Sequence, residues 1–182
     1  MVFTVLYVAC ACFFWTIEAQ MQENRPDLGQ YQDFASCPDY YGPWYHLYRN
    51  YETDPELGPN VKCYSTRQVE PIVNGRTAFN TTYIKDGVRN YMFLPSELRS
   101  TTGYTVANVL YMTPPCFAPT TRIAVYIECG ACMLLRTEDR DGYGCHFFVT
   151  DPYNLDRGCA YAYDSKCGPE KYTYYDPNEC AP

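Results

Sequence analysis

In the segments Thr77–Lys85 and Arg122–Glu128, apolar and polar residues alternate with the two-residue period of a β-strand that has one buried side. From Tyr41 onward the chain is rich in Tyr, Val, Ile, Phe and Thr, and turn dipeptides interrupt it at Asn74-Gly75, Asp86-Gly87 and Asp141-Gly142. The pattern therefore predicts an all-β domain. The expected strands are Trp44–Tyr51, Val61–Glu70, Thr77–Lys85, Val88–Leu94, Thr105–Met112, Arg122–Glu128, Cys132–Arg136, Cys145–Val149 and Tyr172–Tyr175.

The short connections between successive strands favour an antiparallel meander. A meander of about eight strands closes most simply into an up-and-down barrel, which leaves no exposed edge, and a β-sandwich is the alternative. In the sixth strand, strict alternation predicts two opposite faces. One face would hold Ile123, Val125 and Ile127, and the other Arg122, Ala124, Tyr126 and Glu128.

The segment from Asn154 to Pro169 has a different period. It opens with an Asn or Asp cap and ends at Gly168-Pro169, which is typical of a helix terminus. The residues expected on its buried face recur at helical spacing: Leu155, Cys159, Ala162 and Tyr163. The sequence therefore predicts one C-terminal helix on the barrel. Residues 20–40 are expected to form an N-terminal arm, extended or with a short helix, and residues 41–182 the barrel domain.

The first residues, Val2 to Trp15, form an uncharged apolar run that is too short to span a bilayer. Thr16-Ile17-Glu18-Ala19 follows, with a small residue where signal peptidase cuts. This order predicts a secretory signal peptide over residues 1–19 and a secreted, extracellular protein. An uncleaved membrane anchor is disfavoured, because nothing basic flanks the run and no later segment approaches about 18 apolar residues.

Charge and motifs exclude several classes of function. The 14 Lys and Arg against 21 Asp and Glu give a formal charge of −7, with no basic run, so nucleic acid and anionic membrane surfaces are poor partners. The two histidines, His46 and His146, lie about a hundred positions apart, so no metal site is expected. The motifs Gly-x-Ser-x-Gly and His-Glu-x-x-His are absent from the sequence. We therefore expect neither an enzyme nor a cofactor.

Cysteine content predicts a disulfide framework. Two of the 11 cysteines, Cys10 and Cys12, lie in the expected signal peptide, and nine remain in a chain that passes through an oxidising compartment. The sequence alone leaves their connectivity open. Because nine is odd, one cysteine has no partner within the chain, so it stays free or forms a disulfide with a second chain. Cys129 and Cys132 have redox-motif spacing, but we interpret them as two cysteines at a hairpin. The sequon at Asn80 predicts a solvent-facing glycosylation site.

Gly42-Pro43-Trp44 resembles the Gly-x-Trp signature of lipocalins, in which the Trp lies at the closed end of the barrel. A larger set of ordered blocks resembles the tick salivary lipocalins, the histamine-binding salivary protein family. These blocks are Trp44-Tyr45-His46-Leu47-Tyr48-Arg49-Asn50-Tyr51-Glu52-Thr53-Asp54-Pro55, Lys62-Cys63, Cys132-Met133-Leu134-Leu135-Arg136, Gly142-Tyr143-Gly144-Cys145, Cys159 with Cys167-Gly168-Pro169, and Tyr172-Thr173-Tyr174-Tyr175-Asp176 with Cys180.

The resemblance implies a secreted eight-stranded barrel with a C-terminal α-helix that binds small host mediators, such as histamine, serotonin or leukotrienes, and suppresses host inflammatory defence. It also implies disulfide pairs. It further implies a structural role for Arg136, which would pack over Trp44 as an arginine packs over the signature Trp in many lipocalins. The implied pairs are Cys63–Cys180, Cys132–Cys159 and Cys145–Cys167, and they leave Cys37, Cys116 and Cys129, of which two are able to pair.

The chain departs from the amine binders of that family at positions that decide the ligand. Where they carry an acid, Met133 follows Cys132, and where they carry Glu-Leu-Trp or Glu-Leu-Tyr, this chain has His146-Phe147-Phe148. A buried ammonium needs an acidic partner, so a fatty acid or eicosanoid is expected to bind at least as well as an amine. His146, with an ordinary pKa near 6.5, would pair a ligand carboxylate in mildly acidic conditions. The ligand-binding candidates are Tyr51, Asp54, Leu57, Glu128, Met133, His146 and Phe148.

The sequence is compatible with two functions. In the first, the barrel binds a small mediator, and a large apolar cavity with few polar groups would favour it. In the second, the barrel is a scaffold for a protein-binding inhibitor of a host defence cascade, and a filled interior with an exposed aromatic patch would favour that. Of the 20 tyrosines, four are candidates for the pocket: Tyr51, Tyr83, Tyr91 and Tyr126.

Overall fold

The computed structural model describes residues 25–37, 42–137 and 144–180. The expected signal peptide and the Asp141-Gly142 turn lie outside these ranges. The strands are β1 Pro43–Arg49, β2 Val61–Val73, β3 Arg76–Lys85, β4 Val88–Arg99, β5 Val109–Met112, β6 Thr120–Glu128, β7 Cys132–Thr137, β8 Gly144–Val149 and β9 Tyr172–Thr173. The helix α1 covers Arg157–Cys167, and two short 3-10 helices cover Pro26–Tyr31 and Phe34–Ser36.

Strands β1 to β8 form a closed antiparallel barrel within the described residues. Each strand from β2 to β7 pairs with the next along the chain, β8 pairs with β1, and β1 pairs with β2. This is the up-and-down barrel that the meander predicts, and the fold class is confirmed. Closure leaves no free edge among these eight strands, which a two-sheet sandwich would have. The short strand β9 pairs with the C-terminal end of β1, at Tyr48 and Arg49.

The C-terminal tail completes the wall between β1 and β2. These two strands pair directly only near Trp44 and Thr66. Farther along, the Tyr174 amide donates to the Leu47 carbonyl at 2.9 Å, and the Cys63 amide donates to the Tyr174 carbonyl at 2.7 Å. The Cys63–Cys180 disulfide fixes the end of the tail at the same place. The tail therefore bridges two strands that have separated.

Helix α1 packs on the outer face of β7 and β8. The Asp156 carboxylate caps it by accepting from the Cys159 amide at 2.9 Å, and Gly168, with φ of 81°, ends it. Leu155 thus precedes the helix. The buried face of the helix, which includes Tyr163, packs on Val125, Leu134 and Phe147 on the outer side of the barrel wall. The Cys132–Cys159 and Cys145–Cys167 disulfides hold it there.

Arg136 does not lie over Trp44, contrary to what the resemblance implies. Its Nη2 donates to the Lys166 carbonyl at 2.7 Å, so Arg136 neutralises the C-terminal end of α1 on the outer face of β7. Trp44 faces the interior instead, where it packs with Leu135 and Phe148. Alternation along β7 explains the difference, because Arg136 shares the outward face of Leu134 while Leu135 points inward.

The predicted faces of β6 are also wrong over half of the strand. A β-bulge interrupts the pairing with β7 between Ala124 and Tyr126. Ala124 packs in the barrel interior and the fully buried Val125 packs beneath α1, while Ile127 faces the interior again. One extra residue in a strand reverses the facing of everything after it. Strict alternation therefore fails here.

The N-terminal segment covers one end of the barrel. The Phe34 amide donates to the Ala107 carbonyl at 2.9 Å, and Gln32 Nε2 donates to the Val125 carbonyl at 3.3 Å. The Phe34 side chain packs against the cluster that contains Trp44, as expected for the closed end. No helix in the described part of the chain is long and apolar enough to cross a membrane.

The cysteine framework includes the three pairs that the resemblance implies. A further disulfide, Cys37–Cys129, ties the N-terminal segment to the end of β6. Cys129 and Cys132 thus bond different partners, and the redox reading of their spacing is not supported. Among the described cysteines, Cys116 is the one without a disulfide, and it is exposed between β5 and β6.

Candidate functional site

A cavity runs through the interior of the barrel. Its volume, counted as the space open to the centre of a water molecule, is about 100 Å³. Most of its lining side chains are apolar and come from the inward faces of β1 to β8 and from the segments at either end. The apolar lining residues include Phe34, Trp44, Leu57, Tyr64, Ile72, Phe79, Met92, Leu94, Leu98, Leu110, Met112, Ile127, Met133, Leu135, Phe148 and Tyr174.

The two ends of the cavity differ in chemistry. Phe34 and Trp44 lie at the closed end. The opposite end carries the connection between β1 and β2, and because the strands alternate in direction, β6 begins there too. Charged groups concentrate at this second end, which we call the mouth. Asp54 and Glu56 reach the cavity from the connection, and Arg122 from the start of β6.

Asp54, a predicted ligand residue, is buried and already neutralised. Its Oδ2 accepts from Arg49 Nη1 at 2.9 Å and from the Tyr174 hydroxyl at 3.0 Å. Its Oδ1 accepts from the amides of Glu56 at 2.9 Å and Leu57 at 2.7 Å, which folds the connection over the mouth. Burial and the charge of Asp54 raise the pKa of Tyr174. The aspartate therefore holds the mouth together.

Arg122 and Glu56 form a second, looser charged pair at the mouth. Arg122 Nη2 lies 3.9 Å from Glu56 Oε1, and the side chains are 12% and 23% exposed. Arg122 Nη1 also donates to Thr120 Oγ1 at 2.7 Å, which positions the guanidinium. The arginine is the more buried of the two. A largely shielded guanidinium at a cavity wall is suited to bind a carboxylate.

The two histidines meet in the same wall, although they are far apart in sequence. His46 and His146 have ring centroids 5.0 Å apart, and His46 stacks on Phe148 at 4.4 Å. His146 Nε2 lies 2.9 Å from the Tyr51 hydroxyl. Burial, aided by the positive charges of Arg49 and Arg122, holds the pKa of His46 well below its ordinary value. In the described ranges no three His, Cys, Asp or Glu side chains converge on a metal site.

The structure brings most of the predicted site residues together. Asp54, Leu57, Met133, His146 and Phe148 line the cavity, and Met133 and Phe148 are paired across β7 and β8. Tyr51 reaches the site through His146.

Glu128 does not reach the cavity. It is the last residue of β6, is exposed, and accepts a hydrogen bond from the Tyr126 hydroxyl at 3.0 Å. The bulge in β6 is the cause, because it turns Ile127 inward and Glu128 outward. Three of the tyrosine candidates also do not line the cavity. Tyr126 lies on the outer face with Glu128, Tyr91 is 75% exposed, and Tyr83 is buried against Leu57 outside the cavity lining.

Sequence reasoning missed several residues of the site. His46, Glu56, Tyr64, Arg122 and Tyr174 all line the cavity. Alternation with the inward Trp44 could have found His46, since both belong to one strand face. Burial raises the pKa of Tyr64 to about 12. Alternation places Arg122 on the face opposite Ile123, but it does not show which of the two faces is the interior.

Comparison with known proteins agrees with this geometry. A family model described as tick histamine binding protein matches residues 22–182. The sequence matches none of the curated proteins compared with it. Among solved structures, apocrustacyanin C2 is similar with a TM-score of 0.62 and 13% identity, covering 87% of this chain and 88% of that chain.

Two further structures share the fold. Lobster apocrustacyanin A1 has a TM-score of 0.57 at 14% identity and covers 78% of this chain and 80% of that chain. Insecticyanin from the tobacco hornworm Manduca sexta has a TM-score of 0.55 at 13% identity, covering 74% and 72%. At these identities the likeness concerns the lipocalin fold. Because the family model spans most of the sequence, the chain belongs to the tick histamine-binding protein family, a family of small-molecule-binding lipocalins rather than enzymes.

Proposed function

We propose that this protein sequesters a small molecule with an apolar body and one acidic group, such as a fatty acid or an eicosanoid, inside its barrel. The observation that carries the proposal is the position of Arg122 in the wall of a largely apolar cavity. A guanidinium binds a carboxylate through charge-assisted hydrogen bonds, and apolar walls cover the rest of such a ligand. The ligand's acid would lie at the mouth and its body deeper in the barrel.

The charges at the mouth support an acid over an amine such as histamine or serotonin. Asp54 is bonded to Arg49 and Tyr174, and a ligand ammonium would have to displace this buried ion pair. Glu56 does line the cavity, but Arg122 lies 3.9 Å from it and opposes a second positive charge. The positive charges of Arg49 and Arg122 also act at His46, in the wall of the cavity. These features favour a negative ligand.

Sequestration outside the cell, with suppression of host inflammatory defence, is the role that fits a member of this family. The disulfides suit an oxidising compartment. The proposal includes cleavage after the signal peptide at residues 1–19, an arm over residues 20–40 and a barrel domain over 41–182. It also includes a glycan at Asn80, whose side chain is exposed on β3. The secreted form is expected to be a monomer, with a dimer linked by a disulfide through the odd cysteine as the alternative.

The alternative, a protein-binding inhibitor of a host defence cascade, has one observation in its favour. Tyr91 and Phe93 are 75% and 44% exposed on β4. That hypothesis, however, predicts a filled interior, and the barrel contains a cavity lined by apolar side chains. The small-molecule function is therefore the better supported of the two.

Native mass spectrometry tests the proposal. Protein purified from a eukaryotic host is incubated with equimolar arachidonate, leukotriene, histamine and serotonin, and the bound masses are compared. We expect a one-to-one complex with an acid to dominate. Reduced and unfolded protein, which has no cavity, serves as the control. A spectrum dominated by histamine or serotonin complexes would overturn the ligand class.

A further inference from the structure

His46 presents a polar atom that the fold leaves unsatisfied. Its side chain is 2% exposed and lines the cavity, yet Nε2 has no hydrogen-bond partner among the described residues. Buried polar atoms are nearly always paired, because an unpaired one loses its water without compensation. The exception therefore requires an explanation.

Aromatic contacts alone fix the orientation of this ring. His46 stacks on Phe148 with centroids 4.4 Å apart and an interplanar angle of 17°. The edges of Tyr174 and Tyr64 meet it at 4.6 and 5.5 Å. The imidazole is thus held rigidly without a polar partner, which prepares its nitrogens for a ligand.

The imidazole is neutral when the protein is folded. Burial, together with the positive charges of Arg49 and Arg122, keeps its pKa well below the ordinary value. A neutral imidazole offers one N–H donor and one acceptor nitrogen. An uncharged group that both donates and accepts, as a hydroxyl does, matches it in either tautomer. A carboxylate matches it poorly, because it offers no proton to the acceptor nitrogen.

The position of His46 along the barrel fits the body of the ligand rather than its acidic end. On β1, His46 lies between Trp44 at the closed end and Arg49 at the mouth. Arg122 is near the mouth, at the start of β6. A ligand whose acid meets Arg122 would pass His46 with its apolar body.

We propose that His46 determines specificity by forming a hydrogen bond with a hydroxyl group on the apolar body of the ligand. This inference rests on the proposed function, since it presupposes an acid bound in the barrel. It narrows the ligand class from apolar acids in general to hydroxylated ones.

Titration calorimetry with arachidonate and a panel of its monohydroxylated derivatives tests the inference. We expect at least one derivative to bind the unaltered protein about tenfold more tightly than arachidonate. His46→Phe should bring this ratio close to one. His46→Asn, which retains a donor and an acceptor, should keep part of the ratio.

Tyr48→Phe is the matched control. The Tyr48 hydroxyl is another buried atom without a partner among the described residues, but Tyr48 packs beneath α1 on the outer wall. Its removal should leave the ratio unchanged, and circular dichroism verifies that each variant is folded. Equal affinities of all the acids for the unaltered protein, or an unchanged ratio in His46→Phe, would overturn the inference. If arachidonate and every derivative failed to bind, the proposed function would fall as well.

Discussion

Arg49 and Arg122 carry the same charge at the mouth of the barrel but meet different partners. Arg49 is 4% exposed and is paired with Asp54 at 2.9 Å, while its guanidinium also lies over the Tyr174 ring at 4.0 Å. Arg122 is 3.9 Å from Glu56. Truncating one partner of a buried, hydrogen-bonded pair is strongly destabilising. We therefore assign Arg49 and Asp54 to stability, and Arg122 to ligand recognition.

Replacement of Arg122 tests that assignment. In Arg122→Met, arachidonate affinity should fall about tenfold or more, because a charge-assisted hydrogen bond is lost. Affinity for the neutral alcohol of the same chain should change little. Arg67→Met, an exposed arginine on β2, is the control. Calorimetry measures both ligands. An equal loss of affinity for the acid and the alcohol would show that Arg122 shapes the cavity but does not bind the charge of the ligand.

The buried His46 should make stability depend on pH. Its folded pKa is lowered below the ordinary value of 6.5, so above about pH 6.5 it is neutral in both states and contributes no pH dependence. As pH falls further, the unfolded chain takes up a proton that the folded chain excludes, and stability is lost. Between about pH 7.5 and about pH 5.5 the unaltered protein should lose about 1.4 kcal/mol more than His46→Phe.

Urea unfolding of the two proteins at both pH values provides the free energies. Other titrating groups also make the free energy of unfolding depend on pH, and they do so equally in both proteins. The difference between the unaltered protein and His46→Phe therefore isolates the contribution of His46. Identical pH dependences in the two proteins would mean that His46 takes up a proton as readily in the folded protein as in the unfolded chain.

At the scale of elements, the sequence predicts strand positions well and strand faces less well. The period-two pattern and the turn dipeptides are local, and each strand overlaps a predicted one, although β4 continues to Arg99 and β5 begins only at Val109. The bulge in β6 is different, because an extra residue at Val125 depends on packing against α1, which no local pattern encodes. Because of this bulge, the side chain of Glu128 faces away from the cavity. The meeting of His46 with His146 depends on barrel closure through β8 and β1, which spacing along the chain does not reveal.

The C-terminal tail links the disulfide framework to the site. Because Tyr174 bonds Asp54 from the tail, a loose tail should disturb the mouth. The double variant Cys63→Ser, Cys180→Ser should lose about 2–5 kcal/mol of stability and several-fold in arachidonate affinity. Cys145→Ser, Cys167→Ser, which frees α1 on the outer wall, should lose stability but keep affinity in the folded fraction. Unchanged affinity in the tail variant would remove the tail from the binding site.

At the scale of the whole molecule, the disulfide framework predicts one free thiol in the chain that remains after cleavage of the expected signal peptide. Four disulfides join eight described cysteines and leave Cys116, which is exposed. Thiol labelling of the denatured, unreduced monomer should modify Cys116 alone, and peptide mapping identifies the site. A labelled Cys37 or Cys129 would contradict the pairing of the N-terminal segment.

The barrel as a whole has a covered end, a wall completed by the tail, and a mouth where the charged groups gather. This arrangement supports one apolar acid entering at the mouth, with Arg122 as its anchor. The most direct test is calorimetric titration of the unaltered protein with arachidonate and histamine. We predict that arachidonate binds with a stoichiometry of one and at least as tightly as histamine. Histamine binding far more tightly than arachidonate would contradict it, and Glu56 would then be the acid that supplies the charge.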